Sequence, residues 1–186
     1  GQAHAIYING GELHVRCSLF LSGRREGHEI KSRARKSTIE YSTVASLDGR
    51  DSRLIDLPSG GVAIVRQSLL VQGPNTSNWE MLSFGVEGAR YTNNTLILEQ
   101  NFIINDREGG GRLVNVADEM PEPVVRSNLV VGKLDYDNWQ TNFRYASRSD
   151  VPLAPAPFLP PWPQQGAGGE GDVCAADTDL EPLAVF

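Results

Sequence analysis

The sequence predicts an all-β chain folded as a right-handed parallel β-helix, a solenoid of about five rungs followed by a Pro/Gly-rich C-terminal tail. Three observations lead there. Short segments alternate apolar and polar residues with a period of two, the pattern of strands with one buried face. These segments recur at similar intervals with matching residue types at matching offsets, as stacked coils require. Helix signals are almost absent.

The repeat is clearest around five small polar markers, Ser18, Ser42, Ser68, Asn101 and Ser127. An aliphatic residue stands three positions before each: Val15, Ile39, Val65, Leu98 and Val124. Two positions after each come Phe20, Val44, Leu70, Ile103 and Leu129. The markers lie 24, 26, 33 and 26 residues apart, so the strands repeat while the turns vary in length. A small polar side chain at a coil corner can hydrogen-bond the next rung, which gives the markers a structural role as a ladder.

Upstream of each marker lies a second alternating segment, centred on Tyr7, Lys31, Asp56, Ser83 and Asn115. Buried positions are expected at Ile6, Ile8, Val15, Ile30, Ile39, Ile55, Leu57, Val65, Leu82, Phe84, Leu98, Val114, Val116 and Val124. Gly10-Gly11, Ser59-Gly60-Gly61 and Gly109-Gly110-Gly111 mark tight reversals between strands. A β-sandwich is the competing fold, but sandwich packing does not require five segments in matching register.

The organisation predicted is a β-helix domain over residues 1–138 and a capping segment with an irregular tail over residues 139–186. Trp139, Phe143 and Tyr145 are suited to cap an open solenoid end. Prolines crowd residues 151–163 and glycines follow, so no rung is expected there. The opening Gly1-Gln2-Ala3-His4 suggests a mature or C-terminal fragment of a longer protein.

Composition excludes several classes. Seventeen Lys and Arg against 23 Asp and Glu give a net charge of −6, so no whole-molecule attraction to nucleic acid or anionic lipid is expected. No apolar run approaches the roughly 20 residues of a membrane span. Cys17, in an apparent strand, and Cys174, in the tail, are expected to be unpaired. The three histidines lack metal-ligand spacing and no carboxylate cluster suits calcium, so neither a metal nor another cofactor is expected. No Gly-x-Ser-x-Gly, no Cys–His pairing and no phosphate-binding glycine loop is present.

Aligning rungs creates columns of chemistry. One contains His4, His28, Arg53, Glu80 and Arg112, and the next contains Tyr7, Lys31, Asp56, Ser83 and Asn115. Lys31 and Arg33 are two apart on one strand and therefore point the same way. The functional expectation is an exposed, locally basic groove. Lys31, Arg33 and His28 are the candidate catalytic residues, able to neutralise a uronate carboxylate and abstract the adjacent proton; His4, Tyr7, Arg53 and Asp56 are the candidate substrate-binding residues. The alternative is a solvated set of charges with Lys31 and Asp56 as a cross-strand ion pair.

Three stretches carry a resemblance: residues 27–34 (Gly-His-Glu-Ile-Lys-Ser-Arg-Ala), residues 55–61 (Ile-Asp-Leu-Pro-Ser-Gly-Gly) and residues 101–107 (Asn-Phe-Ile-Ile-Asn-Asp-Arg). They resemble bacterial right-handed parallel β-helix repeat proteins of the pectate-lyase-like superfamily, over roughly residues 4 to 131. The resemblance implies a secreted, periplasmic or cell-surface protein acting on polysaccharide, as a lyase or epimerase if it is an enzyme. Such relatives often carry an Asp-His-Gly-Ile-Tyr-like segment, and here Ala3 replaces the acid before His4. Two functions stand open: a monomeric protein binding an acidic polysaccharide around Lys31, and processing it if it is an enzyme, or a non-catalytic spacer or adhesion module.

Overall fold

The computed structural model describes residues 3–23 and 25–151. Strands come in consecutive triples: β1 (Ile6–Ile8), β2 (Glu12–Arg16) and β3 (Leu19–Leu21), then β4 (Ile30–Ser32), β5 (Lys36–Glu40) and β6 (Thr43–Ala45). They continue through β7 (Ile55–Leu57), β8 (Val62–Arg66) and β9 (Leu69–Gln72), then β10 (Glu80–Phe84), β11 (Thr95–Glu99) and β12 (Phe102–Asn105). The last are β13 (Gly111–Val116), β14 (Val124–Arg126) and β15 (Leu129–Val131), followed by β16 (Leu134–Asp135) and β17 (Phe143–Tyr145).

Through β16, every third strand joins the same sheet, and β17 then adds beside β15. The first sheet runs β1-β4-β7-β10-β13-β16, the second β14-β11-β8-β5-β2 and the third β17-β15-β12-β9-β6-β3. All pairings are parallel. The architecture is therefore a three-sheet parallel β-solenoid, and the competing sandwich of antiparallel sheets is excluded. Its axis holds the main core, with Ile30, Ile55, Leu82, Phe84, Ile39, Val65, Leu98 and Leu70 almost fully buried.

The marker ladder forms, with one change of register. Ser18 N–H donates to Ser42 Oγ (3.1 Å), Ser42 N–H to Ser68 Oγ (3.1 Å) and Ser68 N–H to Asn101 Oδ1 (3.1 Å). Asn101 N–H then donates to Asn128 Oδ1 (2.9 Å), and Asn128 N–H to Asn142 Oδ1 (3.0 Å). The fifth marker is thus Asn128, not Ser127. Ser127 occupies the corner position before it with φ of 55°, matching Cys17, Tyr41, Gln67 and Gln100 at 49–55° before the other markers. A slip of one residue turns a strand over. Val124, expected inside, is accordingly 42% exposed, while Val125 is buried and pairs with Leu98.

Of the other expected core positions, Ile6, Ile8 and Val116 are only half-buried. β1 is an edge strand, and β16 pairs only with the first two residues of β13, leaving Val116 uncovered. In the capping segment β17 adds a strand beside β15, and Trp139 packs against the core with its ring edge-on to Tyr136. Tyr145 packs against the smaller cluster around Val71 and Val131, whereas Phe143 is exposed. Cys17 is disulfide-bonded, which overturns the expectation of an unpaired thiol there. The expectation of an irregular segment from residue 151 falls, after Val151 itself, outside the described residues.

Candidate functional site

The first sheet assembles six of the seven predicted site residues. Register pairs Tyr7 with Lys31, Lys31 with Asp56 and Asp56 with Ser83, so these side chains stack along one face. Alternation puts Ile6, Ile30, Ile55 and Leu82 on the opposite, core face. His4 and His28 sit two residues before Ile6 and Ile30, with rings stacked face to face 4.9 Å apart.

Asp56 is the hub. It is 2% exposed, yet it accepts hydrogen bonds from Lys31 Nζ (2.7 Å) and Ser83 Oγ, and its Oδ2 lies 3.2 Å from His28 Nε2. Burial would raise its pKa, but the hydrogen bonds from His28, Lys31 and Ser83 outweigh burial and hold the carboxyl well below the usual carboxylate range. Asp56 is therefore a buried anion.

The backbone sets the tautomers. His28 N–H donates to His4 Nδ1 (2.9 Å) and Arg53 N–H donates to His28 Nδ1 (3.2 Å). With Nδ1 used as an acceptor, each neutral ring carries its proton on Nε2. His28 directs that N–H at Asp56. Burial, reinforced by His28 and Lys31, lowers the His4 pKa against the opposing pull of Asp56. His4 thus keeps its Nε2–H as an outward donor while His28 spends its own on Asp56, and neither ring offers a free lone pair.

Lys31 and Arg33 are less exposed than the sequence suggests, their side chains being 13% and 19% accessible. The covering element is residues 85–94, which occupy the long interval between the third and fourth markers. This strap turns back over the neighbouring coils. It leaves β10 at Gly85, whose φ of 75° and contact with Met120 leave no room for a Cβ. Its backbone follows the preceding coil, with Gly85 N–H on Leu57 O (2.9 Å), Glu87 N–H on Pro58 O (2.9 Å) and Arg90 N–H on Ser59 O (3.0 Å). Tyr91 Oη donates to Arg33 O (2.6 Å), Arg90 Nη1 reaches Asn9 O (2.9 Å), and Asn94 Oδ1 accepts from Gly61 N–H (2.7 Å).

Glu87 is the charged group this strap delivers. Its Oε1 accepts from Lys31 Nζ (3.1 Å) and its Oε2 from Arg33 Nη2. Arg33 is held further by Tyr7 Oη (3.2 Å) and Ser59 Oγ (3.1 Å). Burial alone would lower the Lys31 pKa, but Asp56 and Glu87 raise it, so the ammonium is protonated at neutral pH. The Glu87 hydrogen bond likewise raises the pKa of Arg33. The expected basic groove is consequently charge-balanced, with two cations facing two carboxylates. Arg53 stands apart, paired with Glu80 (3.3 Å) one coil further along.

Two features lay beyond the sequence reading. Glu87 was signalled only by the 33-residue interval that makes room for a strap. Glu29 and Asp51, fully buried at the corner beside β4, hold oxygens without hydrogen-bond partners (Glu29 Oε2 and Asp51 Oδ1). Burial above all, with Asp51 adding to it against a Gly23 N–H hydrogen bond, pushes the Glu29 carboxyl up to about 7. The second sheet carries a separate device on its outer face, a register-paired column of alternating sign: Arg16, Glu40, Arg66, Glu99 and Arg126. Alternation lets each carboxylate meet an arginine, as in Arg66–Glu40 and Arg126–Glu99, both at 2.6 Å.

Fold and site together define a parallel β-solenoid bearing a preorganised polar cluster on its first sheet. Compared with known proteins, the chain matches no family model, no curated protein and no solved structure.

Proposed function

We propose that this protein is a carbohydrate-binding β-solenoid that takes an acidic, uronate-containing polysaccharide along the first sheet, through Tyr7, His4, Lys31 and Arg33. One observation carries the reading: Lys31 and His28 converge on the buried anion Asp56. Removing such charges from water costs several kcal/mol per ion and is weak support for stability, so its concentration at one surface argues for a site. The donors left on the outside, namely His4 Nε2–H and the Tyr7 hydroxyl, together with the two cations beneath Glu87, suit the hydroxyls and carboxylates of a sugar acid. Tyr7, 51% exposed, adds an aromatic face.

Binding is favoured over proton abstraction. A lyase or epimerase base must be unprotonated, whereas Lys31 is held protonated and both histidines spend Nδ1 on the backbone. The right-handed coil belongs to the same reading, since parallel crossovers returning to one sheet take that hand in nearly all cases. So do a pectate-lyase-like ancestry in bacteria, a place outside the cytoplasm and a monomeric state.

Polygalacturonate titrated calorimetrically at low salt provides the test, with the absorbance of unsaturated uronate followed in parallel. Salt-sensitive binding, weakened at least tenfold by Lys31→Met with Arg33→Gln and without unsaturated product, is the expected result. No binding, or binding indifferent to that double change in a folded protein, overturns it. The internal neutralisation of both cations favours one alternative, a spacer in which the cluster only ties coils together; the first of these outcomes, no binding by the folded parent, would favour it.

A further inference from the structure

We propose that Lys31 and Arg33 form a subsite for one carboxylate of the bound glycan, and that Glu87 is the built-in occupant a ligand must displace. The inference rests on the reading of the first sheet as the glycan-binding face and specifies which ligand group is recognised there and what holds the subsite closed.

The geometry is that of a clasped carboxylate. Glu87 presents one oxygen to Lys31 Nζ and the other to Arg33 Nη2, so a single carboxylate bridges two cations that lie two residues apart on β4. Both cations are also held without it: Lys31 by Asp56 at 2.7 Å, Arg33 by Tyr7 Oη at 3.2 Å and Ser59 Oγ at 3.1 Å. Vacating the subsite therefore leaves its donors in place, which is the preorganisation an anion site needs.

The occupant is placed to leave. The Glu87 side chain is 45% exposed, far more than either cation it covers. The strap's backbone is fixed on both sides of it, at Gly85 and Arg90, as well as at its own N–H. Rotation of one side chain then suffices, with no movement of the strap. Its flanking residues Val86, Gly88 and Ala89 are exposed as well.

An internal competitor weakens a ligand by the fraction of time it leaves the site open, so an occupant present nine times in ten lowers affinity about tenfold. Polygalacturonate is the probe, its carboxyl-reduced neutral form the control, and circular dichroism the check on folding. Glu87→Gln, which keeps the side-chain volume, and Glu87→Ala should each bind polygalacturonate about tenfold more tightly than the parent. The gain should vanish with the neutral polymer and when Lys31→Met and Arg33→Gln are added. Glu87→Asp keeps the charge but draws it back by one methylene and should fall between, which gives a reading even if a neutral variant folds poorly. Unchanged or weaker affinity in the Glu87 variants, with the parent still binding through Lys31 and Arg33, overturns the occupant and leaves the groove standing. No binding by any form overturns both.

Discussion

Lys31 Nζ donates to Asp56 Oδ2 at 2.7 Å across the β4–β7 pairing, joining residues 25 apart in sequence into an ion pair that is almost wholly covered. An exposed cross-strand pair would contribute up to about 1 kcal/mol. This one lies where losing a partner strands a charge. Asp56→Asn is expected to destabilise by about 3–5 kcal/mol, as for other buried ion pairs deprived of one member. In a double-mutant cycle with Lys31→Met, urea unfolding should give a coupling above about 1 kcal/mol. A smaller coupling would mean that the pair behaves as a solvated one.

Acid should loosen the same cluster. Because the folded-state pKa of Asp56 lies below its ordinary value, the folded protein binds fewer protons there than the unfolded chain. Its stabilising contribution is fully present above the unfolded value near pH 4 and is lost as pH falls further towards the folded value. Glu40, lowered by Arg66 and His14 in spite of burial, acts in the same direction. Urea midpoints measured from pH 6 down to pH 3 should decline in the parent and decline less steeply in Asp56→Asn. Parallel curves would count against the Asp56 assignment.

Glu29 carries the opposite sign. With its carboxyl pushed up to about 7 from an ordinary 4.5, chiefly by burial, the folded state keeps a proton that the unfolded chain releases. Stability therefore falls as pH rises from about 4.5 to 7 and stays reduced above that. Glu29→Gln removes the ionisable group while keeping an oxygen for the Gly23 N–H. At pH 8 it should raise stability by roughly 1–2 kcal/mol, about 2–8 °C in melting temperature for a chain of this size. At pH 4 it should change little. A uniform shift at both pH values would point to packing instead.

The ladder correction can be tested by neighbouring substitutions. Asn128 accepts from the Asn101 N–H (2.9 Å) and donates to Leu98 O (2.9 Å), and it is fully buried. Asn128→Ala should cost about 2–4 kcal/mol, since it leaves buried backbone groups unpaired. Ser127 holds only the corner with φ of 55°, a conformation asparagine tolerates, so Ser127→Asn should stay within about 0.5 kcal/mol. Comparable costs at both positions would restore Ser127 to the ladder.

By itself the sequence determined the strands, the coil and most of the core, because a period of two and a recurring offset are local properties of the chain. Ile30, Ile55, Leu82 and Leu98 were legible in this way. So was the column Tyr7, Lys31, Asp56 and Ser83, which needs only the stacking register. The error at Val124 came from the same source, since two adjacent polar residues, Ser127 and Asn128, fit the marker equally well in sequence and only the corner conformation separates them. Tertiary structure alone decided the electrostatics of the site. Whether Lys31 and Arg33 form an open basic groove depends on a carboxylate 54 residues beyond Arg33, carried on a strap whose path no periodicity specifies. Partners and burial did the rest: hydrogen bonds from His28, Lys31 and Ser83 fix Asp56 as an anion against its burial, and burial makes Glu29 an acid titrating near neutrality, because the cost of a charge is set by the partners and solvent around it rather than by its place in the chain.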